Sequence, residues 1–231
     1  QCSWVHRREK ERATEKAKTL IEMAVAKTRF LKPLQRQLIP LNQKVLVIGG
    51  GVSGMTASLD IASQELEVYL VEKGPRLGGF LWDIDRIQDG THTIDILGDI
   101  VQRVEKNPKI TVLLESEVEE VEGHGGNFKA MLRCKEDKLE LEVGAVVIAV
   151  GAKLLVPNEY YNYGKNEKIV TQRGMEKLLR EDFEAKKIVM IQCVGSREEK
   201  RSYCSRVCCT EAIKNAIYIK RTKPETEVFI L

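Results

Sequence analysis

The chain has 231 residues, of which 43% are hydrophobic and 31% are charged, a composition typical of globular domains and not of disordered or fibrous chains. Its formal net charge is +3, and no basic stripe is interleaved with aromatic residues, so nucleic-acid binding is not expected. No apolar run reaches the roughly 18 residues that a membrane-spanning helix needs, and the N-terminal residues do not follow the pattern of a secretory signal peptide.

The two ends of the sequence suggest a piece of a longer protein. The chain begins with Gln1 instead of Met, and it stops at Leu231 inside the apolar stretch EVFIL, which is typical of a strand. A natural domain rarely ends on an apolar strand, so we expect the chain to be truncated at its C-terminal side.

The first segment is predicted to be helical. Between about Arg7 and Leu31, apolar residues recur at near-helical spacing among Lys, Arg and Glu, and Pro33 ends the run. A connector with Pro33 and Pro40 follows. We interpret residues 1–43 as a helical lead-in from a missing N-terminal cluster domain.

The next stretch is typical of a strand–turn–helix–strand unit. The strand Val45–Ile48 is apolar throughout, as a parallel strand buried on both faces usually is. A helix is predicted at Gly54–Gln64 and a second strand at Glu67–Val71, which together complete a right-handed βαβ unit.

The turn of this unit, GGGVSG, has the spacing G-x-G-x-x-G. Glycine at these places allows a tight turn, close approach of a pyrophosphate and close packing of the helix on the strand. The N–H groups at the start of the helix then face the phosphates, and an acid at the end of the second strand can accept hydrogen bonds from ribose hydroxyls. The residues predicted to line this dinucleotide site are Gly49, Gly51, Val52, Ser53, Gly54 and Glu72.

Two further stretches favour FAD over NAD at this site. KGPRLGG follows Glu72 and resembles the flavoprotein pattern in which a Gly-Gly pair comes soon after the acid. VVIAVGA resembles the second flavin motif, an apolar strand followed by Ala-Thr-Gly, although Val150 stands where Thr is usual. In such folds Val118 would lie where backbone groups meet the adenine. The cofactor-binding residues that these resemblances add are Lys73, Gly78, Gly79, Val118 and Gly151.

The remaining elements are predicted from shorter patterns. A helix is expected at Asp99–Lys106, with strands at Thr111–Leu114, Glu117–Val121 and Ala145–Val150. Near the C-terminus, KKIVMIQCVGS, VCCTEAIKNAIYIKR and TEVFIL predict a strand, a helix and a strand, which form a second βαβ unit. We therefore predict an FAD-binding domain at residues 44–186 and the start of a second nucleotide-binding-like domain at residues 187–231.

Four of the six cysteines lie in one stretch, QCVGSREEKRSYCSRVCC, with the spacing C-x10-C-x3-C-C. In two-dinucleotide flavoproteins such as thioredoxin reductase, a second glycine loop for NAD(P)H stands here, but this chain keeps only Gly195 of it. The spacing is neither that of a zinc ribbon nor that of a bacterial ferredoxin, so an iron–sulfur cluster, zinc and a redox dithiol all stay open at this point. Because adjacent cysteines point apart in regular backbone, a bend is predicted at Cys208 and Cys209.

The distribution of the cysteines in the sequence indicates a reducing compartment. Nothing in the sequence marks secretion, and the clustering is too local for a disulfide framework, so we expect a cytoplasmic protein whose thiols serve metal or redox chemistry. Cys134 stands alone and is interpreted as a free cysteine packed in a strand.

The sequence resembles the FAD and iron–sulfur subunit of heterodisulfide reductase, its A component, and the bacterial relatives of that protein over essentially its whole length. The stretches that carry the resemblance are QCSWVHRREKERATEKAKTLIEMAVAK, the glycine turn and MIQCVGSREEKRSYCSRVCCTEAIKNA. It implies an α/β fold, Rossmann-like and of the two-dinucleotide, thioredoxin-reductase type. It also implies an FAD-containing oxidoreductase subunit that passes electrons between flavin and iron–sulfur clusters and can split electron pairs between two one-electron chains.

The same resemblance implies ligands and partners. One [4Fe–4S] cluster would be held by Cys193, Cys204, Cys208 and Cys209, and Cys2 would be the last ligand of a further cluster. The partners would be the other subunits of a heterodisulfide-reductase-like complex and an electron-donor protein.

Two other functions stay open from the sequence. An FAD-dependent NAD(P)H or disulfide oxidoreductase would use the cysteines as redox dithiols and would need no iron. A non-catalytic assembly module would carry metal at the cysteines and would hold no FAD in a vestigial flavin fold.

Overall fold

The computed structural model of the chain describes residues 2–33, 40–135, 137–158, 160–181 and 183–231. The chain divides into two compact units, Gln1–Pro40 and Leu41–Leu231. Most of the predicted connector, at residues 34–39, lies outside the described residues. The predicted division at residues 186 and 187, within the second unit, stays a prediction.

The first unit contains two helices in its described part, α1 (Cys2–Val5) and α2 (Lys10–Thr28). Ion pairs one turn apart support α2, with Arg12 Nη1 lying 3.0 Å from Glu9 and Lys18 Nζ lying 2.8 Å from Glu15. Among the described helices of the whole chain, none has the length and apolar character that a bilayer crossing requires.

A parallel sheet forms the frame of the second unit. In the part of the chain that the structure describes, it has four strands in the order β3 (Ile110–Leu113), β2 (Glu67–Val71), β1 (Lys44–Ile48) and β7 (Ala145–Ile148). Val45 of β1 lies opposite Val68 on one side and Ala145 on the other. All three pairs are parallel, and the order is that of one half of a doubly wound dinucleotide fold.

Two further layers cover the faces of this sheet. Helices α3 (Val52–Ala62) and α4 (Thr93–Glu105) pack on one face, where Met55 and Leu97 join Val47 and Leu70 in a buried core. An antiparallel sheet of β4 (Ser116–His124), β5 (Asn127–Cys134) and β6 (Asp137–Val143) lies on the other face. Its core contains Leu46, Val71, Ala130, Leu132, Leu141 and Val143. Cys134 packs against that second core as a free thiol, which agrees with the interpretation from sequence.

The C-terminal part of the second unit repeats the strand–helix–strand pattern. Strands β8 (Lys187–Met190) and β9 (Glu227–Ile230) pair in parallel, and α6 (Cys208–Thr222) connects them. Helix α5 (Gln172–Arg180) precedes them, and Met175, Met190, Ala212 and Ile219 form the core between these elements. The predicted second βαβ unit is therefore confirmed.

Several element boundaries differ from the prediction by a few residues, and two of these differences have a clear physical reason. Helix α4 begins at Thr93, well before the predicted Asp99, and Leu97 in its early turns is almost fully buried against the core. Strand β7 ends at Ile148 instead of Val150, because the chain then crosses the glycine turn, where Ala149 is in close backbone contact with Gly49.

A buried ion pair ties three segments of the second unit together. Glu176 of α5 is fully buried, and its carboxylate accepts hydrogen bonds from the Asp85 N–H at 2.9 Å and from Lys214 Nζ of α6. Lys214 also donates to the carbonyl oxygen of Arg86 at 2.9 Å. The loop that carries Asp85 and Arg86 is thereby held against both α5 and α6.

We expect Lys214→Met to lower the free energy of unfolding by about 3–5 kcal/mol, because it leaves the buried Glu176 carboxylate without its cation. The matched control is Lys187→Met. Lys187 pairs with Glu227 at 3.3 Å, but the two side chains are 66% and 53% exposed, so about 1 kcal/mol or less should be lost there. Urea unfolding of both variants measures the difference.

A double-mutant cycle checks that the loss comes from the pair itself. The double variant Glu176→Gln with Lys214→Met should cost less than the sum of its two single variants, because neither partner is then left alone. Strict additivity of the two single effects would contradict the pairing.

Candidate dinucleotide and cysteine sites

The glycine turn between β1 and α3 consists of backbone segments in close contact. Gly49 has a φ of 109°, and a Cβ on it would lie 2.3 Å from the carbonyl oxygen of Ala149. A Cβ on Gly54 would lie 1.8 Å from the carbonyl oxygen of Gly49. Such distances leave no room for a side chain, so these two glycines are required for the turn to pack against β7 and for the helix to pack against the turn.

Gly51 has a different environment from its two partners in the motif. Its φ of −74° suits any residue, and a Cβ on it would meet no atom within 4 Å. It precedes the first turn of α3, where Val52 and Ser53 are exposed and where the N–H groups lack partners within the helix. Open space at the N-terminus of a helix fits a pyrophosphate, which such N–H groups bind.

The carboxylate of Glu72 lies beside this turn. Its Oε2 accepts a hydrogen bond from the Gly50 N–H at 2.7 Å, and its Oε1 accepts one from the Gly74 N–H at 2.7 Å. A carboxylate has about four lone-pair positions, so each oxygen keeps acceptor capacity for a ribose hydroxyl. The half-buried Glu72 therefore fits the role predicted for an acid at the end of the second strand.

The Gly78–Gly79 pair closes the other side of the glycine turn. The Gly78 N–H donates to the carbonyl oxygen of Gly50 at 2.8 Å, and a Cβ on Gly79 would lie 3.1 Å from the Cα of Gly51. Both have positive φ, 122° and 51°. The structure thus brings the pair that the flavoprotein pattern singled out into contact with the first motif.

Three predicted residues lie near the carboxyl ends of the parallel strands, where α/β sheets bind their ligands. Lys73 follows Glu72 and is exposed. Gly151 follows β7 with a φ of 70°, and a Cβ on it would meet nothing within 4 Å. Val118 comes shortly after Ser116, whose N–H donates to the carbonyl oxygen of Glu72 at 3.0 Å.

A tight hairpin brings the distant cysteines together. The Arg197 N–H donates to the Tyr203 carbonyl oxygen at 3.4 Å, and Glu198 and Arg201 exchange backbone hydrogen bonds of 3.1 and 3.0 Å. This cysteine hairpin, residues 193–204, returns the chain from Cys193 to Cys204. It accounts for the long C-x10-C spacing that the sequence left unexplained.

The predicted bend at the adjacent cysteines is wrong. Cys208 and Cys209 are the first two residues of α6, and the bend comes earlier, at Arg206, whose φ is 60°. Successive residues of an α-helix are about 100° apart around its axis, so two neighbouring side chains in a first turn can border the same loop. The predicted bend lies two residues too late, and it conflicts with the helix that the sequence predicts over VCCTEAIKNAIYIKR.

The four thiols of this stretch interact electrostatically. The pKa of the Cys209 thiol is raised above its ordinary value by the charge of Cys208, then by burial, by a hydrogen bond with Cys208, and by the charges of Cys193 and Cys204. Within the described ranges, no three His, Cys, Asp or Glu side chains are placed to hold a single metal ion. Four cysteine side chains match in type and number the donor set of a [4Fe–4S] cluster, which takes one thiolate on each iron.

Cys2 belongs to the first compact unit, whereas the other four predicted cysteine ligands belong to the second. It is half-buried and begins α1 in the first unit, and its predicted role as ligand of a further cluster stays a prediction.

The sequence did not reveal the Glu176–Lys214 pair. Its signal is faint: Glu176 follows the buried Met175 and stands three residues before Leu179, on the side of α5 that packs into the core. A charged residue on a buried helix face needs a partner, but the sequence does not say that the partner lies on α6.

The model of the pyridine nucleotide-disulphide oxidoreductase family matches residues 16–177 of this chain. The A component of the H(2):CoB-CoM heterodisulfide,ferredoxin reductase of Methanothermobacter thermautotrophicus is 30% identical, over 99% of this chain and 49% of the relative. The iron-sulfur A component numbered 2 of the CoB–CoM heterodisulfide reductase of Methanopyrus kandleri is 32% identical, over 99% of this chain and 49% of the relative. The L-proline dehydrogenase structure from P. horikoshii has a TM-score of 0.48 and 18% identity, over 87% of this chain and 38% of that one.

The chain thus spans about half the length of the curated relatives it matches. Their names confirm the predicted resemblance to the A component of heterodisulfide reductase. The family match and the parallel sheet confirm the predicted Rossmann-like α/β class.

We expect Gly51→Ala to keep the fold and to weaken FAD binding by about ten-fold or more, because the new methyl group occupies the open space that the pyrophosphate needs. Gly54→Ala should instead lower the free energy of unfolding by about 1–3 kcal/mol or more, since its Cβ meets backbone. Quenching of flavin fluorescence measures the affinity, and urea unfolding measures the stability.

The control for both variants is Gly125→Ala. A Cβ on Gly125 meets no atom within 4 Å, and the residue lies in the tight turn between β4 and β5. It should change neither quantity. An FAD affinity that Gly51→Ala leaves unchanged would show that the phosphates do not approach Gly51.

Proposed function

This chain belongs to the pyridine nucleotide-disulphide oxidoreductase family, and we propose that it is the FAD- and [4Fe–4S]-carrying electron-transfer part of a heterodisulfide-reductase-like complex. The observation that carries the proposal is the hairpin that gathers four cysteines at the N-terminus of α6. The names of the relatives, which include the words heterodisulfide, ferredoxin and iron-sulfur, support it. Its partners would be the other subunits of such a complex and an electron-donor protein.

The glycine-turn residues would hold the FAD. The N–H groups at the start of α3 and the bare Gly51 would bind the pyrophosphate, and Glu72 would orient the ribose. The Gly78–Gly79 pair would border the phosphates, and Lys73, Val118 and Gly151 would line the rest of the site. When bound, FAD supplies the exchange of electron pairs or of single electrons.

The cysteine hairpin and α6 would hold the cluster, with one iron each on Cys193, Cys204, Cys208 and Cys209. The N-terminus of α6 carries a partial positive charge, which would offset the repulsion between thiolates. The Arg206 N–H donates to Cys204 Sγ at 3.3 Å, and hydrogen bonds to ligand sulfurs raise the reduction potential of such clusters.

The position of the two sites in one compact unit supports electron exchange between them. The loop that follows the Gly78–Gly79 region and the helix that begins with Cys208 both contact the buried Glu176, so their relative placement is fixed. Splitting of electron pairs between two one-electron chains is the finer form of the proposal. It would need a second one-electron chain, in which the further cluster predicted at Cys2 would take part.

A redox-dithiol function would need a nucleophile other than Cys209. Reactive cysteines of disulfide oxidoreductases have a lowered pKa, which keeps the nucleophilic thiolate populated. The pKa of Cys209 is shifted in the opposite direction by its neighbours.

The first experiment is anaerobic purification of the longest natural version of the chain, followed by a visible spectrum with flavin, iron and sulfide assays. We expect a flavin band together with a broad cluster absorbance. Cys204→Ser should lose iron and sulfide and keep the flavin, because the two sites have separate ligands.

The matched control is Cys134→Ser, which removes a thiol that packs against the core between the two sheets. It should keep both iron and flavin. A flavin spectrum without iron in the wild-type protein would overturn the cluster, and iron without flavin would overturn the FAD site.

A further inference from the structure

We propose that Tyr160 is a positioning residue that holds the cysteine hairpin closed. Its phenol O–H donates a hydrogen bond to the carboxylate of Glu198, in the turn of the hairpin. The inference deepens the proposed function and rests on it only where iron is measured, because the closure of the hairpin itself needs no cofactor.

The hairpin needs support from outside because its own backbone is strained. Cys193 and Arg197 are non-glycine residues with φ of 57° and 59°, a region that costs such residues roughly 1 kcal/mol or more each. Strain of this kind persists only where surrounding contacts determine the conformation. Few backbone hydrogen bonds cross the described hairpin, and Glu199 and Lys200 at its tip are exposed.

The segment that follows the second flavin motif supplies this support at the base of the hairpin. A Cβ on the buried Gly195 would lie 2.3 Å from Leu155 Cδ2 and 3.7 Å from Tyr160 Cε2, so both side chains pack directly on the backbone of Gly195. Arg201 Nη1 donates to the Gly195 carbonyl oxygen at 3.0 Å and joins the tip of the hairpin to the same point.

Tyr160 therefore contacts the hairpin twice. Its ring lies against Gly195 near the base, and its hydroxyl reaches Glu198 in the turn. Both Tyr160 and Glu198 are half-buried, and a hydrogen bond to a carboxylate is stronger than one between neutral groups. Both contacts lie on the arm that leads from Cys193 to the turn. The returning arm is tied to it by the Glu198–Arg201 backbone hydrogen bonds and by the Arg201 side chain on Gly195. A bond that fixes Glu198 therefore supports the closed hairpin, at whose two ends Cys193 and Cys204 stand.

The first test measures opening of the hairpin without any cofactor. Mass spectrometry separates cuts after the exposed Arg197 and Lys200 from cuts after Arg201, whose half-buried side chain donates to the Gly195 carbonyl oxygen. Trypsin makes the cuts after Arg201 only when the hairpin opens. In the longest natural version of the chain, Tyr160→Phe should speed them about ten-fold, the factor that loss of one hydrogen bond to a charged group gives in an opening equilibrium. Urea unfolding of the same variants separates local opening from general destabilisation.

Three further variants serve as controls for the hydrogen bond between Tyr160 and Glu198. Tyr161→Phe removes a hydroxyl from the exposed neighbouring residue and should leave the cutting rate unchanged. Glu198→Gln keeps an acceptor for the phenol but loses its charge, so its rate should fall between those of the wild type and Tyr160→Phe. Glu198→Ala removes the bond from the hairpin side and should match Tyr160→Phe. If Tyr160→Phe cuts at the rate of Tyr161→Phe, the proposal is overturned.

The second test measures the effect on the cysteines. Loss of iron to a chelator under anaerobic conditions should be about ten-fold faster in Tyr160→Phe than in the wild type and in Tyr161→Phe. Faster cutting with an unchanged rate of iron loss would overturn the positioning role. A wild-type protein that holds no iron would overturn the proposed cluster, while the trypsin rates would still decide whether Tyr160 holds the hairpin closed.

Discussion

The fully buried carboxylate of Glu176 is the contact on which the arrangement of the second unit depends. An ionised carboxyl group taken out of water is costly unless hydrogen bonds and an opposite charge replace its hydration. Here the Asp85 N–H and the Lys214 ammonium group supply both, and they come from the loop after the glycine-turn region and from the helix that begins with the adjacent cysteines. Neither segment can shift against the other without leaving a buried charge unpaired, so the two candidate sites keep a fixed relation.

The two candidate sites are built on the same architecture. In each, a parallel strand ends, the chain turns sharply, and a helix begins with its N–H groups facing the turn. The first site leaves the turn bare with glycines, so a phosphate can approach the backbone. The second lengthens the turn into a hairpin and places thiols around the helix N-terminus. The partial positive charge of a helix N-terminus suits an anion in both cases, a pyrophosphate in one and thiolates in the other.

The sequence predicted best what is determined by local backbone chemistry. Strand Glu67–Val71 was predicted with its exact bounds, and the spacing of the glycine motif located the turn between β1 and α3. The closure of the cysteine hairpin was not predictable in this way, because its support comes from Leu155 and Tyr160, which are distant in sequence. The role of Glu176 was missed for the same reason, since its cation lies on another helix. The pairing of distant residues could not be predicted, because neither the periodicity nor the spacing of residues in the sequence indicates it.

The construction of the second site also explains why one turn cannot serve both a nucleotide and a thiol cluster. A pyrophosphate needs uncovered backbone at the start of the helix, which glycine provides at Gly51 in the first site. Helix α6 starts with two cysteine side chains, and the residue two positions before it, Arg206, uses its N–H to donate to Cys204 Sγ. In the proposed function, thiolate ligands would stand where the first site leaves backbone uncovered. Cysteines in place of glycines would then exchange one ligand chemistry for the other, while a strand, a turn and a helix are common to both places.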